Sequence, residues 1–282
     1  MTTAMIEDAR FITMDRRRAL DAITRHEPAF GVLGLMMLAL MAPTLFAYLV
    51  DERTFQGVNV WLKPLKFQFS LAVYFLTLAF FARWLPAGTR DKRWYRVFAA
   101  SAVLAAIVEI LWIGGAAAMG TSSHFNPTAF GQAIYGAMGA AAVLITSVSA
   151  VYAWQIARNG ALRLPPAFRE SVVLGLALTL PLTLLTAGVM SSMGSHWVGG
   201  TQAGSEGLAL MGWARDGGDL RVAHFFATHA MHFLPVFGLL SVALFGPHER
   251  RPVRMVAAAF SLFVILVFAQ ALAGSPFLPA LG

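Results

Sequence analysis

Long apolar stretches, separated by short polar segments, recur along the whole chain. A helix that crosses a lipid bilayer needs about 20 mostly apolar residues. Seven stretches meet this length, at residues 29–50, 67–85, 97–119, 129–156, 171–193, 222–246 and 254–273. None has the alternation of apolar and polar positions that is typical of membrane barrel strands. The pattern predicts an all-α fold, a polytopic membrane helix bundle with seven transmembrane helices.

The composition agrees with this pattern and excludes two other classes of protein. Of the 282 residues, 58% are apolar and only 12% are charged, whereas a soluble domain carries about 25% charged residues. A soluble globular enzyme and a disordered chain are therefore both excluded. The absence of cysteine also excludes disulfides, thiolate metal ligands and iron–sulfur clusters. We expect one seven-helix membrane domain over 29–282, preceded by an amphipathic arm over 1–28.

The distribution of basic residues predicts how the bundle is oriented. Sixteen of the 21 Lys and Arg residues lie in the arm or in the connections 83–96, 157–170 and 247–254. Cytoplasmic segments carry this excess, so the amino terminus is predicted inside and the carboxyl terminus outside. The net charge of +7 then reflects orientation and attraction to anionic lipid, and nucleic acid is not needed as a partner. We expect a multi-pass protein of a bacterial inner membrane, with residues 5–27 lying on its inner surface as an amphipathic helix.

Three histidines lie near the start of the predicted sixth span. On a continuous helix that turns about 100° per residue, His224, His229 and His232 share one side with Arg221 and Thr228. Imidazole is the commonest metal ligand and titrates near neutral pH, so this stripe predicts a metal, haem or proton site. Neutral histidines that form hydrogen bonds between helices are the structural alternative. The spacing matches no metal-binding signature.

Two further histidines follow similar short segments at the ends of other spans. His124 and His196 each come after Met-Gly and one or more small hydroxyl residues, and each precedes an aromatic residue. The predicted topology places both outside, near the level of the stripe. We interpret all five histidines as possible metal ligands, while turn formation also explains the Ser, Asn and Pro residues nearby.

Other polar groups are predicted at the same face. Lys63 and Lys66 run against the charge bias, and together with Arg221 they could bind a lipid phosphate, a substrate carboxylate or haem propionates; the lysines could equally snorkel to the interface. Glu109 is the only acidic residue well inside a span. Its depth of about 15 Å matches that of His232, so we predict that Glu109 faces the histidines as ligand, proton relay or hydrogen-bond partner. Glu109 and His232 are the candidate catalytic pair.

Three segments carry a resemblance to other proteins. WLKPLKFQFS, SSHFNPT and GDLRVAHFFATHAMHFLP resemble recurring segments of a group of uncharacterised bacterial multi-pass membrane proteins, and this resemblance implies no activity. Seven spans are also similar to microbial rhodopsins, but the last span lacks the lysine that would bind retinal. Two-haem cytochromes of the b561 kind need histidines in both leaflets. This chain has no histidine in the inner half of a predicted span, so it would hold one haem at most.

Three functions remain open from the sequence. The first is a redox protein with one histidine-coordinated centre near the outer face, either haem b or a non-haem Fe, Cu or Zn ion. Its substrate would be apolar, such as a quinone or a lipid. The second is a proton-coupled transporter of a small anion. The third is a non-catalytic subunit of a membrane complex, and an oligomer or a partner membrane subunit is compatible with all three.

Overall fold

The computed structural model describes residues 25–201, 207–208 and 211–279, and eight α-helices dominate it. The helices are α1 (Pro28–Val50), α2 (Leu62–Phe81), α3 (Arg93–Ala118), α4 (Ala129–Arg158), α5 (Pro166–Met193), α6 (Leu220–Thr228), α7 (Ala230–Phe245) and α8 (Arg251–Leu272). A short 3₁₀ turn (Ala82–Trp84) extends α2. Two small antiparallel ribbons complete the fold: β1 (Thr54–Phe55) with β2 (Val58–Asn59), and β3 (Trp197–Val198) with β4 (Gly218–Asp219).

The all-α fold predicted from the apolar pattern is confirmed. Six helices are long and apolar enough to cross a membrane, and α6 with α7 forms a bent pair that passes the same test together. Large apolar side chains point outward, including Phe46 at 67%, Leu111 at 68% and Met255 at 70% exposure. Exposed apolar surface on this scale indicates a surrounding lipid phase. The predicted arm helix over 5–27 lies mostly outside the described residues.

Two predicted helix starts lie five residues too late, and those of α3 and α8 lie four and three residues too late. Helix α2 begins at Leu62 and not at residue 67, so Lys63 and Lys66 belong to its first turns. Helix α5 begins at Pro166 and not at residue 171. In both cases the early turns contain charged residues, so an apolar pattern places the start of the helix too late. The shift matters for α2, because it places two ammonium groups at a helix amino terminus.

The prediction of one continuous sixth helix is wrong, because α6 and α7 meet at 53° around His229. The carbonyl of Phe225 accepts bonds from the His229 backbone N–H at 3.1 Å and from the Thr228 hydroxyl at 3.0 Å. His229 Nδ1 also lies 2.7 Å from that oxygen. Side chains that bond the backbone in this way compete with the helical pattern, and we attribute the break to them. Pro235 lies further along, inside α7.

The helices present two distinct ends. One end collects the connections 51–61, 119–128 and 273–279 and the described parts of the connection between α5 and α6 (194–201, 207–208 and 211–219). We call it the histidine end because His124 and His196 lie there. The opposite end collects 82–92, 159–165 and 246–250, and we call it the arginine end. Helix α1 packs mainly against α2, whereas α5 packs against α4, α6 and α7. The bent pair of α6 and α7 therefore lies against α5, with α8 covering its other side. We call this pair the broken span, because the two helices together are long and apolar enough to cross a membrane.

Candidate functional site

His229 lies at the break between α6 and α7 and has a defined tautomer. Its Nδ1 is 2.7 Å from the carbonyl oxygen of Phe225. A carbonyl can only accept a hydrogen bond, so Nδ1 carries the proton and Nε2 keeps a free lone pair. The Phe225 ring stacks on the imidazole with centroids 4.1 Å apart. The break therefore fixes this imidazole both by a hydrogen bond and by stacking.

His232 is oriented by a threonine of a different helix. Its Nε2 lies 3.0 Å from the hydroxyl oxygen of Thr77 on α2. That hydroxyl donates its hydrogen bond to the carbonyl of Val73 at 2.7 Å. It can therefore only accept a hydrogen bond from the N–H at His232 Nε2. Nδ1 is then unprotonated, and this buried atom has no hydrogen-bond partner among the described residues. A buried lone pair without a partner is costly and calls for an explanation.

His224 repeats the same arrangement with a threonine of α5. Its Nδ1 lies 3.2 Å from the hydroxyl oxygen of Thr186. Thr186 donates to the carbonyl of Leu182 at 3.0 Å, so its hydroxyl accepts from His224 and leaves Nε2 with the lone pair. Each of the three histidines therefore has one nitrogen held as a donor and one left as an acceptor.

The three rings do not by themselves form a complete metal cage. The rings of His229 and His232 are neighbours, with centroids 5.2 Å apart. No group of three or more His, Asp or Glu side chains within the described ranges is placed to hold one metal ion. A centre here would use one or two imidazoles and take its other ligands from elsewhere.

His124 lies outside the spans, in contact with a cation. Its Nδ1 is 3.1 Å from Lys63 Nζ and 3.1 Å from the Ser123 hydroxyl. Burial, and then the charge of Lys63, lower the pKa of His124 to about 3. Since an ammonium group donates to Nδ1, the proton of the neutral ring is on Nε2.

His196 lies beside the β3–β4 ribbon at the same end. Trp197 pairs with Asp219 in that ribbon, and the His196 carbonyl accepts from Leu220 N–H at 2.9 Å. Burial, followed by the charge of Arg221, lowers the pKa of His196 to about 3. Its Nε2 is buried and has no hydrogen-bond partner in the described part of the chain.

The basic residues predicted at this face have different partners. Arg221 forms an ion pair of 2.6 Å with Asp219, whose side chain is fully buried, and donates to the Gly212 carbonyl at 2.6 Å. Lys66 donates to the neighbouring carbonyl of Met211 at 2.9 Å. Asp219 also caps α6 by accepting from the Arg221 backbone N–H at 3.0 Å. Arg221 is thus neutralised locally, whereas Lys63 and Lys66 have no ion pair among the described residues.

Glu109 is buried on α3, as the sequence predicted. Helix α3 packs mainly against α1, α2 and α4, and the broken span packs mainly against α5 and α8. Across the described residues, no hydrogen bond or ion pair joins Glu109 to a histidine. The structure therefore does not bring Glu109 to the stripe, and its role at a metal or haem centre stays a prediction.

A polar cluster at the arginine end escaped the sequence analysis. The buried Glu27 accepts a hydrogen bond from the Tyr95 hydroxyl, and the Tyr95 and Tyr152 hydroxyl oxygens are 2.7 Å apart. Burial raises the pKa of Glu27. An acidic residue directly before the first residue of α1 was the one sign of this cluster in the sequence. The two tyrosines were counted as apolar residues, so their hydroxyl groups were not considered as partners for Glu27.

An apolar groove of about 380 Å³ lies between α1 and α3. Pro28, Val32 and Val103 are among its lining residues, and no histidine lines it. Because Pro28 is the first residue of α1, the groove reaches the arginine end, away from the histidine end. It does not adjoin the histidines of the broken span.

Comparison with known protein families, with characterised proteins and with solved structures gives no match for this chain.

Proposed function

We propose that this chain is a membrane redox protein whose centre is bound by imidazole nitrogens of the broken span. One observation carries the proposal: the buried Nδ1 of His232 has no partner, while Thr77 fixes the other nitrogen of the same ring. Histidines that ligate metals nearly always donate their second ring N–H to an oxygen, which sets the tautomer and the ring orientation. His224 and His229 have the same pattern, with Thr186 and the Phe225 carbonyl as the acceptors.

The number of available imidazoles bears on the kind of centre. Haem b would need only one or two ligands from the protein, whereas a bare Fe, Cu or Zn ion usually takes three or four. With no preformed group of three ligands in the described residues, haem b fits this arrangement better than a bare ion does. Such a centre supplies one-electron transfer. The chain holds it, orients the ligand rings and keeps water away from them.

The membrane setting completes the proposal. We place the histidine end outside and the arginine end inside, in a bacterial inner membrane, because the arginine end carries most of the basic residues. A quinone or a lipid then reaches the centre sideways from the bilayer. A second copy or a partner membrane subunit would pass on the electrons.

Purified protein tests the proposal directly. We expect a visible absorption band that shifts on reduction with dithionite, together with iron at about one atom per chain. Copper at the same ratio, without a haem band, would retain a redox centre on the histidines and change its identity. Zinc alone, which has no redox chemistry, would retain a metal site but refute the redox function. Colourless protein that holds no metal and binds neither haem nor a divalent metal ion when these are added would refute it.

A proton-coupled transporter is the second candidate, and the break of the sixth span favours it. Discontinuous helices carry the substrate and ion sites of many transporters, and here the 53° bend lies at His229. In this reading the three imidazoles exchange protons during transport. Uptake of an anion into proteoliposomes that follows an imposed pH gradient, and that is lost on His229→Phe, would select this function.

A further inference from the structure

The groove between α1 and α3 has the shape and the lining to hold a hydrocarbon chain. Its volume of about 380 Å³ is lined only by apolar residues, and along α1 it runs from Pro28 to Met36, which is roughly 12 Å of helix. Leu33 lines the groove and is buried, whereas Val32 and Met36 are 50% and 49% exposed. The groove therefore has a buried apolar floor and an edge that is open to the surrounding bilayer.

A guanidinium group lies where this groove reaches the arginine end. Arg90 Nη1 donates to the carbonyl of His26 and, at 3.4 Å, to that of Arg25, and these residues come just before Pro28 in the chain. Of the three guanidinium nitrogens, only Nη1 bonds to the described residues, and Arg90 forms none of the ion pairs found among them. Arg90 is exposed, so its other N–H groups are free to bind a ligand at the membrane surface.

The segments around Arg90 carry an excess of positive charge. Residues 25–28 and 82–96 contain six Lys or Arg side chains and only two acidic ones, Glu27 and Asp91. Glu27 is buried and accepts a hydrogen bond from the Tyr95 hydroxyl, so its carboxyl group is held inside the bundle. An apolar groove that ends among cationic groups matches a molecule with a hydrocarbon chain and an anionic headgroup.

We propose that the groove between α1 and α3 binds an anionic phospholipid, with an acyl chain along the groove and the phosphate at Arg90. Guanidinium groups form strong, often bidentate hydrogen bonds with phosphate. A zwitterionic lipid fits the groove equally well, but it gains less from the surrounding cations because its net charge is zero. An uncharged quinone offers no phosphate to Arg90. No histidine lines the groove, so this site does not depend on the histidine centre of the broken span.

Native mass spectrometry of the detergent-purified full chain tests the proposal. The protein is mixed with equal concentrations of phosphatidylglycerol and phosphatidylcholine that carry the same acyl chains. We expect the chain to retain phosphatidylglycerol about tenfold more tightly than phosphatidylcholine, as for one hydrogen-bonded charge. Equal retention of the two lipids would refute the proposal. Retention of an added quinone in place of either lipid would assign the groove to a different occupant and overturn it.

Substitutions then locate the bound lipid. Val32→Phe fills the groove and Arg90→Gln removes the charge at its end, so each should weaken the binding of phosphatidylglycerol about tenfold. Val50→Phe, at an exposed position at the other end of α1, and Arg163→Gln, at an exposed position of the arginine end, lie outside the groove and are the controls. If Arg90→Gln does not fold, Arg90→Lys should retain the preference for phosphatidylglycerol, and Val32→Phe alone decides the point. Unchanged binding in Val32→Phe, or an equal loss in Val50→Phe or Arg163→Gln, would refute the assignment.

Discussion

The direction of a few side-chain hydrogen bonds decides what each histidine can do. The hydroxyl of Thr77 gives its proton to Val73 and so can only accept from His232. One threonine thereby turns a buried imidazole into an oriented acceptor. The neighbouring His229 reaches the same state through a backbone carbonyl. These are local relationships, so single substitutions can test them.

Replacing Thr77 with valine should weaken binding at the histidine centre. Thr77→Val keeps the size of the side chain but removes the acceptor that holds His232 Nε2–H, and loss of such an orienting partner typically costs 10–100-fold in affinity. Titration of metal-free and haem-free protein with haemin or a divalent metal measures the change. Thr146→Val is the control, because Thr146 likewise donates to a carbonyl of its own helix at 2.7 Å but touches no histidine. Equal losses in the two variants would contradict the role of Thr77.

Glu27 should make the stability of the protein depend on pH. Burial raises the pKa of Glu27 in the folded protein, so the folded state binds this proton more tightly than the unfolded state does. The group's contribution is therefore most favourable below about pH 4.3 and declines as pH rises through the folded pKa. Glu27→Gln keeps an acceptor for Tyr95 and removes this decline. Thermal unfolding between pH 4 and 8 should show a flatter profile for the variant, and identical profiles would contradict the argument.

At the scale of elements, the broken span depends on close contact with α5. A side chain added at Gly175 of α5 would meet the Ala230 carbonyl at 2.9 Å and Pro235 at 3.1 Å. Both of these groups belong to α7, just beyond the break. The absence of a side chain at Gly175 thus lets α7 approach, and it holds the histidines in place.

Enlarging Gly175 should separate α5 from α7. Gly175→Val should lower the free energy of unfolding by about 1–3 kcal/mol, in the range of overpacked cores, and should weaken ligand binding at the histidines as well. Gly188→Val on the same helix is the control, since a side chain there meets open space. Thermal unfolding in detergent measures the stability of both variants. Equal losses of stability in Gly175→Val and Gly188→Val would contradict the role of Gly175 in the packing of α5 against α7.

The elements themselves could be predicted well from the apolar pattern, because a membrane helix must be long and apolar. The break at His229 could not, since it depends on three donors that converge on the Phe225 carbonyl. The start of α2 was missed because its first turns contain two lysines. The individual site residues were proposed from their unusual positions in the sequence, and their roles stay predictions. The separation of these residues into the histidines of the broken span and the basic residues of the histidine end depends on helix packing, which periodicity does not contain.

At the scale of the whole molecule, the proposed orientation predicts which end faces which compartment. The chain contains no cysteine, so single cysteines can be introduced without removing others. Ser275→Cys at the histidine end should react with an impermeant maleimide in intact cells. Gly160→Cys at the arginine end should react only after the membrane is opened. The reverse pattern would contradict the orientation.

The central claim is that the imidazoles of the broken span hold a redox centre. The most direct measurement is the amount of haem or metal bound per chain in wild type, His232→Phe and His248→Ala, all reconstituted and purified in parallel. His248 lies at the arginine end, just beyond α7, and serves as the control. The account predicts about one centre per chain in wild type and in His248→Ala, and loss of most of it in His232→Phe. Equal occupancy in all three proteins, or none in the wild type, would contradict it.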